Sequence, residues 1–380
     1  MSEEVHDFPN CLVTVFDFST LFTFLLTCLI IFTFRKFCVA SGINVLPGPW
    51  CLPLVGYFPF LGEKAHLTLT RLGNRYGPAF RLSLGMSEVI VINSRQLAKE
   101  ALVGKGDDFA DRPRLKLLSI LPTNATYSLH PFDELGQTFE DISETFPETV
   151  SKGVFLSMNA IFGAVTFPPL SVLVEAFRLV AVYPDVQQRV RKEIHSVVSS
   201  DQRPGWQDRS SLPFPEAVLL ETLRFRPPDT VMLPHSTLRN TSLHGYDIKK
   251  GTIVLFNIHA MNFDQTDWHR PEEFLPERFL DCNGKVDQGS RSKLMSFSVG
   301  KRKCIGEAFG KMELFLFFIG LLQKCEFIQR YSETDSSTIS NNIMELNGGR
   351  NFGFAAKISD GDYHGEMDGP VFGGLFEHEL

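Results

Sequence analysis

The sequence predicts a mainly α-helical protein with small β-sheets, an α+β fold. Long apolar or amphipathic stretches with helical periodicity recur along the chain, whereas stretches that alternate with a period of two are short and scattered. A composition that is 43% hydrophobic over 380 residues can bury a substantial core, in one large domain or two. The net charge of −7 does not suggest nucleic-acid binding.

An uncharged apolar run near the N-terminus predicts a transmembrane helix. Phe18–Phe34 is at the short end of the about 20 residues that span a bilayer. Acidic residues precede it and Arg35 and Lys36 follow, so the positive-inside rule places the N-terminus in the lumen and the body in the cytosol. A cleaved signal peptide, which should begin with basic residues, and a buried core helix are the alternatives.

A proline-rich hinge follows the anchor. Leu46–Trp50 holds two prolines around a glycine, which cannot continue a helix and form a stiff turn. We therefore assign residues 1–36 to a lumenal tip and membrane anchor, and residues 37–50 to the hinge.

The next stretch predicts a helix, two strands and a second helix. An amphipathic pattern covers His66–Leu72, and Ala79–Leu84 then alternates with a period of two. Glu88–Ile92 is a second strand, and Ser94 can cap a helix that runs through Leu102.

The C-terminal half predicts four helices and a strand. A long apolar helix covers Val154–Val182, and Pro184 then opens a basic helix with Asp185 as its N-cap. The remaining segments are a helix from near Leu212, a strand at Thr252–Ile258 and an apolar helix over Phe309–Leu322. The tail, residues 358–380, is acidic and glycine-rich and predicts poor order.

A cysteine lies in a loop that leads into the last of these helices. The basic residues 301–303 and the nearby helix start both favour the thiolate form of Cys304. A thiolate is the axial haem ligand that favours O–O cleavage. Gly300 and Gly306 permit a tight turn and a close approach to a flat macrocycle, and Phe297 can cover one face of the ring. The alternative is a structural thiol at a helix cap.

This loop resembles the cysteine loop of the cytochrome P450 haem-thiolate monooxygenases. Its residues Phe297, Gly300, Arg302, Cys304 and Gly306 match Phe-x-x-Gly-x-Arg-x-Cys-x-Gly at every fixed position. The resemblance implies the cytochrome P450 fold and haem b (iron protoporphyrin IX), with Cys304 as its iron ligand and the other four residues around it. Residues 104–113 resemble the microsomal branch that oxidises xenobiotics and hydroxylates steroids.

Further segments match the family in order. By resemblance, Glu221, Arg224 and Arg278 form a buried charge triad that locks the loop around the haem. An i, i+3 spacing puts Glu221 and Arg224 on one helix face, where Arg can pair bidentately with a carboxylate. His235, in a Pro-His-Ser-Thr stretch, corresponds to a residue that reaches a haem propionate. Taken alone, each pattern is also typical of ordinary surface or core residues.

The chain is internally shortened relative to this family. Only forty residues separate Pro113 from Val154, where the family usually has roughly 150, so part of the B–H helical region is lacking. The family's Trp-x-x-x-Arg helix is absent, because the only tryptophans are Trp50, Trp206 and Trp268. We expect residues 113–153 to be irregular within a truncated haem-thiolate domain at 51–357. An alternative transcript, a faulty gene model and a decayed paralogue are all open.

The central helix lacks the acid–threonine pair that relays protons in the family. Counting back from the next helix places Phe167 and Pro168 at the pair, and a slipped register places Val165 and Thr166 there. Neither register supplies a carboxylate, so we assign no catalytic residue. Pro168 and Pro169 should break or sharply kink the helix, at about 3 kcal/mol per interior proline, unless a modest kink is tolerated.

The resemblance implies a monooxygenase that inserts one atom of O₂ into an apolar small molecule, such as a xenobiotic or a steroid. Electrons would come from NADPH through a flavoprotein reductase, with cytochrome b5 as a possible second donor, at the endoplasmic reticulum membrane. A basic patch around the thiolate could steer the reductase; its residues are Arg291, Lys293, Lys301, Arg302, Lys303 and Lys311. The alternatives are a catalytically impaired or non-catalytic haem protein, and isomerase or peroxide-driven chemistry.

Overall fold

The computed structural model describes residues 22–24, 26–27, 44–113, 148–330 and 353–358. The described positions of the predicted anchor, in 22–27, are helical, and the rest of Phe18–Phe34 lies outside the described residues, as does most of the tail. Among the described residues, Gly163–Val182 alone is long and apolar enough to cross a membrane by length and composition, and 44% of it is buried inside the protein.

The largest sheet is small and mixed, as the sequence predicts. Its strands are β1 (Ala79–Leu84), β2 (Ser87–Ile92), β3 (His235–Ser236) and β6 (Ile253–Phe256), in the order β1-β2-β6-β3. The β1–β2 hairpin is antiparallel, β6 runs parallel to β2, and β3 is antiparallel to β6. Two further antiparallel pairs are β4 (Thr241–Leu243) with β5 (Tyr246–Ile248), and β7 (Cys325–Arg330) with β8 (Gly353–Ile358).

Helices make up most of the remaining regular structure, which confirms the mainly helical prediction. The α-helices are α1 (Phe58–Leu61), α2 (Ala65–Tyr76), α3 (Arg95–Lys99), α4 (Glu148–Val182), α5 (Pro184–Val197), α6 (Pro213–Phe225), α7 (Ile258–Asn262), α8 (Gln288–Arg291) and α9 (Glu307–Lys324). Two 3₁₀ segments, Trp206–Ser211 and Pro276–Phe279, connect them.

The central helix α4 corrects two expectations. It begins at Glu148, so the last residues of the predicted irregular segment 113–153 are helical; 114–147 lies outside the described residues. It also continues through Pro168 and Pro169, so the predicted break is wrong. The reason is tertiary packing: beyond the prolines, Val172, Phe177 and Val180 are buried in the main core, which offsets the lost backbone bonds.

Helix starts also differ in detail from the sequence prediction. Tyr183, not Asp185, is the N-cap of α5, because Pro184 at the first helical position needs no donor. Ser94 precedes α3 but makes no side-chain capping bond. A π-helical turn, Glu100–Gly104, continues α3 and contributes Leu102 to the site described below.

Two cores flank the cysteine loop. The larger core packs α4, α5, α6 and α9 together through residues such as Val180, Phe214 and Phe318. The second core packs the mixed sheet against α3 and the π-helical turn. The loop before α9 contributes to both, because Phe297 packs on the first core and Val299 on the second.

Candidate functional site

A fully buried ion pair lies on α6. On α6, Arg224 Nε and Nη2 donate to the two carboxylate oxygens of Glu221, each at 2.8 Å, and neither side chain is exposed. Arg224 Nη1 also donates to the carbonyl of Asn262 at 2.8 Å. The bidentate geometry satisfies both charges away from water, which a buried pair requires.

Arg278 joins this pair from the 3₁₀ segment that follows. Its Nε donates to Glu221 Oε1 at 3.1 Å, and its Nη1 donates to the carbonyl of His269 at 2.6 Å. The Leu275 amide donates to the same carboxylate oxygen at 2.9 Å. The structure therefore brings the three predicted triad residues together, and they fasten the segment before the cysteine loop to α6.

The cysteine loop is closed by its own backbone. The Cys304 amide donates to the Phe297 carbonyl at 2.9 Å, and the turn between them includes positive φ angles at Ser298 (58°) and Gly300 (80°). Below the loop, Ser296 Oγ donates to the carbonyl of Leu223 on α6 at 3.2 Å. This geometry presents Cys304 on the surface, three residues before the start of α9.

The two loop glycines serve different purposes. A Cβ at Gly300 would lie 1.9 Å from the carbonyl oxygen of Leu102, so the loop backbone touches the π-helical turn there. Gly300 is thus required by protein packing, and not only by approach to a macrocycle. Apart from the two neighbours in the chain, no described atom lies within 4 Å of a Cβ placed at Gly306, so a side chain there would meet open space.

The three basic residues around the cysteine have other partners. Lys301 pairs with Asp107, and Lys303 Nζ lies 3.5 Å from Glu307 Oε2. Arg302 Nε donates to the Ala110 carbonyl at 2.8 Å. These contacts hold the three side chains against neighbouring segments, and their action on the thiol stays a prediction.

His235 is buried on strand β3. Its Nδ1 donates to the Phe109 carbonyl at 2.7 Å, since a carbonyl can only accept. Burial, helped by the nearby charge of Arg112, lowers the pKa of His235 to about 3. The imidazole is therefore neutral at physiological pH, with its proton on Nδ1.

Arg112 is a site residue that the sequence reasoning missed. Its Nη1 donates to the carbonyls of Leu233 and Pro234 at 2.9 and 2.8 Å, while its buried Nε has no hydrogen-bond partner among the described residues. Burial and the charge of Arg302 lower its pKa to about 10. The signal in the sequence was the Asp-Arg-Pro triplet that ends the 104–113 stretch.

Together these groups fit a haem. Arg302 is close enough for its charge to act on Arg112, and the charges of both act on His235. Two partly desolvated guanidiniums with an unused donor suit an anion such as a propionate carboxylate. Cys304 supplies a soft ligand, and the backbone is open to close approach at Gly306, two residues further along the chain.

The stretch at the predicted oxygen-activation position is in the middle of α4. Thr166 is half-buried, Phe167 is 56% exposed and Pro168 is exposed. No carboxylate occurs between Gly163 and Leu170. The structure therefore supplies no acid from the helix residues that would carry one.

Comparison with known proteins gives one consistent result. The family model described as Cytochrome P450 matches residues 46–130 and 157–348. The chain is 27% identical to the rabbit (Oryctolagus cuniculus) protein named Cytochrome P450 1A1, over 76% of this chain and 86% of that protein. It is 26% identical to the human Cytochrome P450 1A1, over 76% and 88%, and 25% identical to the mouse (Mus musculus) Cytochrome P450 1A2, over 76% and 87%.

Proposed function

Because the chain belongs to the cytochrome P450 family, we propose that it is a haem-thiolate monooxygenase that inserts one oxygen atom from O₂ into an apolar small molecule, of the xenobiotic or steroid type. The bound haem supplies oxygen activation. The observation that carries this proposal is the closed Cys304 loop, whose Arg302 lies close enough for its charge to act on Arg112 with its unpaired Nε donor.

The buried cations would hold the haem carboxylates. Arg112 has a free Nε donor for this, and Arg302 extends from the cysteine loop to the same region. Since Nδ1 of His235 already donates to Phe109, its Nε2 can donate to a carboxylate only if the ring takes up a second proton. A carboxylate there would raise the low pKa of His235 and so favour that uptake.

The Glu221–Arg224–Arg278 triad would hold Cys304, the iron ligand, in position and would take no part in the reaction itself. It fixes the chain segment that ends in the cysteine loop, and Ser296 ties the loop itself to α6. Because Gly300 rests on the Leu102 carbonyl, the loop is also held from the opposite side. These contacts keep Cys304 at one position relative to Arg112 and His235.

We propose that electrons come from NADPH through a flavoprotein reductase, with cytochrome b5 as a second possible donor. Exposed cations near Cys304 support a redox partner with an acidic surface, although several of these cations already contact acidic or carbonyl groups of this chain. Lys311 pairs with Glu307, and Lys293 Nζ donates to the Asp267 carbonyl at 2.9 Å. Partly neutralised patches of this kind steer a partner more than they strengthen its binding.

The internal shortening is also part of the proposal. The alignment with the rabbit protein is 448 residues long, more than the 380 residues of the whole chain, so it contains long gaps on this side. The family match is interrupted between residues 130 and 157. Both observations support the loss of part of the B–H helices, within a domain at 51–357 that follows an anchor and hinge at 1–50 in the endoplasmic reticulum membrane.

A second candidate activity is peroxide-driven or isomerase chemistry. The observation in its favour is the lack of any carboxylate between Gly163 and Leu170. Such reactions start from an oxygen–oxygen bond that already exists, so they need no relay of protons to O₂.

The reduced, carbon-monoxide difference spectrum tests the thiolate site. We expect the full chain in membranes to give a strongly red-shifted Soret band, and Cys304→Ser to lose it. Cys282 is also a free, exposed cysteine, so Cys282→Ser is the matched control and should keep the band. An unshifted band in the unmodified protein, or the same spectrum in both variants, would contradict haem ligation by Cys304.

Turnover then separates the two activities. Product formation with NADPH, reductase and O₂ supports the monooxygenase. Product formed only with an organic hydroperoxide supports the second candidate, and no turnover despite a red-shifted band would indicate an impaired haem protein.

A further inference from the structure

A group of exposed apolar side chains lies where α1 meets the turn between β1 and β2. Leu54, Phe58 and Met86 are 73%, 57% and 85% exposed. A Cβ placed at Gly85, next to Met86, would lie 3.7 Å from the Leu54 carbonyl oxygen and 3.9 Å from Cε2 of Phe58. Val55, also exposed, accepts a hydrogen bond from the Gly85 amide at 3.1 Å. These neighbouring residues form one apolar patch, which indicates a contact surface.

The backbone holds one side chain of the patch in an unfavourable conformation. Leu54 has a φ of 66°, in the left-handed region that residues with a Cβ rarely adopt. Backbone hydrogen bonds between Leu52 and Gly56, of 3.1 and 3.0 Å, close the turn around it. Glycine would adopt this conformation without strain, so the leucine side chain is present at a loss of stability. Strain of this kind is typical of functional positions.

The neighbouring helix α2 adds positive charge to this part of the surface. Three residues separate α1 from α2. Lys64, Arg71 and Arg75 are exposed, and none of them pairs with a carboxylate among the residues that the structure describes. Lys64 and Arg71 share one helix face with Leu67, which is 37% exposed. The whole chain has a net charge of −7, so this basic face differs from the rest of the protein.

The patch belongs to the part of the body that the proposed anchor keeps near the bilayer. The Asp247 amide donates to the Asn44 carbonyl at 2.8 Å, and the Arg81 amide donates to the Pro47 carbonyl at 2.8 Å. These bonds fix the hinge to the body along β1. Asn44 is ten residues after Phe34, where the proposed anchor ends, and a chain of that length spans at most about 36 Å. The hinge therefore cannot carry the body far from the membrane surface.

We propose that the apolar patch and the basic face of α2 contact the bilayer, as a second attachment beside the anchor. The inference rests on the membrane location that is part of the proposed function. Interfacial segments bury apolar side chains at the boundary between headgroups and acyl chains, while their cations meet anionic headgroups. A second copy of this chain seated on the same surface would bring like charges together. An anionic lipid surface matches both the apolar and the basic part.

Photocrosslinking from within the patch tests the contact. A benzophenone-bearing phenylalanine analogue replaces Phe58 in the full chain, which is reconstituted into vesicles of phosphatidylcholine with phosphatidylserine as the minor lipid. Mass spectrometry measures the lipid adducts after illumination. Phe317 on α9 is the matched control position, because it is 55% exposed and lies outside the patch. We expect roughly tenfold more lipid adduct at position 58 than at position 317.

Two results of this measurement would overturn the proposal. Equal lipid adduct at the two positions would mean that exposure alone, and not placement against the bilayer, determines the reaction. Crosslinks from position 58 to this chain or to a second copy, in place of lipid, would mean that protein covers the patch.

A charged variant tests the patch without altering buried residues. Leu54→Glu combined with Met86→Glu places two carboxylates at exposed positions. We expect the lipid adduct at position 58 to fall roughly tenfold, because carboxylates are disfavoured in the apolar layer and are repelled by phosphatidylserine. The unfolding midpoint should stay unchanged, and Phe317→Glu should leave the adduct at position 58 as it was. An undiminished adduct in the double variant would contradict the proposal.

Flotation of the vesicles separates the patch from the anchor. The anchor should carry the chain with the vesicles in both the unmodified protein and the double variant. A chain that floats without lipid adduct at position 58 contradicts the patch and leaves the proposed anchor and activity in place. A chain that does not float contradicts the membrane location and the patch together.

Discussion

At the scale of single residues, the surroundings of a side chain decide its role more than its type does. Glu221 and Glu273 both pair with an arginine three residues away, but the first pair has no exposure and the second is about half exposed. In water such a pair contributes little, whereas in the core the removal of one charge leaves the other without compensation. The same spacing in the sequence thus corresponds to two very different energies.

Glu221→Gln should destabilise the protein strongly. The substitution leaves Arg224 and Arg278 facing a neutral amide, and we expect a loss of about 3–5 kcal/mol in the free energy of unfolding. Urea denaturation measures it. Glu273→Gln is the matched control, with an expected loss below about 1 kcal/mol because its partner Arg270 is exposed. Equal losses in the two variants would show that burial does not determine how much the Glu221 ion pair contributes to the free energy of unfolding.

His235 should make the haem-free protein sensitive to acid. Its pKa is about 3 in the fold and about 6.5 in an unfolded chain. Between these values the unfolded state binds more protons, so stability is complete above pH 6.5 and falls as the pH falls. We expect a loss of about 2 kcal/mol between pH 7 and pH 5 from this group.

Urea midpoints of the haem-free chain at the two pH values measure this effect. His259 also has a pKa lowered by burial, to about 4, so wild type must be compared with His235→Gln. The variant should lose less stability on acidification, whereas the exposed His195→Gln should behave as wild type. An identical acid response in all three would show that His235 is not the source.

At the scale of elements, the sequence predicted the helices and strands whose formation depends on residues close together in the chain. The β1–β2 hairpin follows from alternation within Ala79–Ile92, and α9 follows from its apolar run. Arg112 could not be found in this way, because its partners are the carbonyls of Leu233 and Pro234, far along the chain. The continuity of α4 was missed for a related reason: proline propensity is local, but the packing that opposes it is not.

Pro168→Ala should therefore stabilise the protein. Pro168 is exposed within α4, so alanine restores a backbone donor without disturbing the core, and we expect a gain of about 1–3 kcal/mol. Thermal or urea unfolding measures it. Pro184→Ala is the control, because Pro184 stands at the first position of α5 where no bond is lost, and it should give no gain. A destabilised Pro168→Ala variant would mean that α4 depends on the shape that its prolines impose.

At the scale of the whole molecule, the described residues hold one side of the proposed haem site. The cysteine loop is held by α6 and by the π-helical turn, and Arg112, His235 and Arg302 remain beside it. The Trp-x-x-x-Arg helix, which would add a further carboxylate contact, is absent from the sequence. Retention of haem should thus depend on few groups, each of them separately testable.

Haem should consequently exchange readily, and Arg112 should control the rate. Transfer of haem from the full chain to an excess of a haem-scavenging apoprotein measures loss directly. A charge-assisted hydrogen bond contributes about 1.5–3 kcal/mol, so Arg112→Gln should speed loss roughly 10- to 100-fold. Arg239→Gln removes an exposed guanidinium that pairs with Asp108 and should leave the rate unchanged. Slow loss from both variants would mean that Cys304 and its loop hold the haem without help from the buried cations.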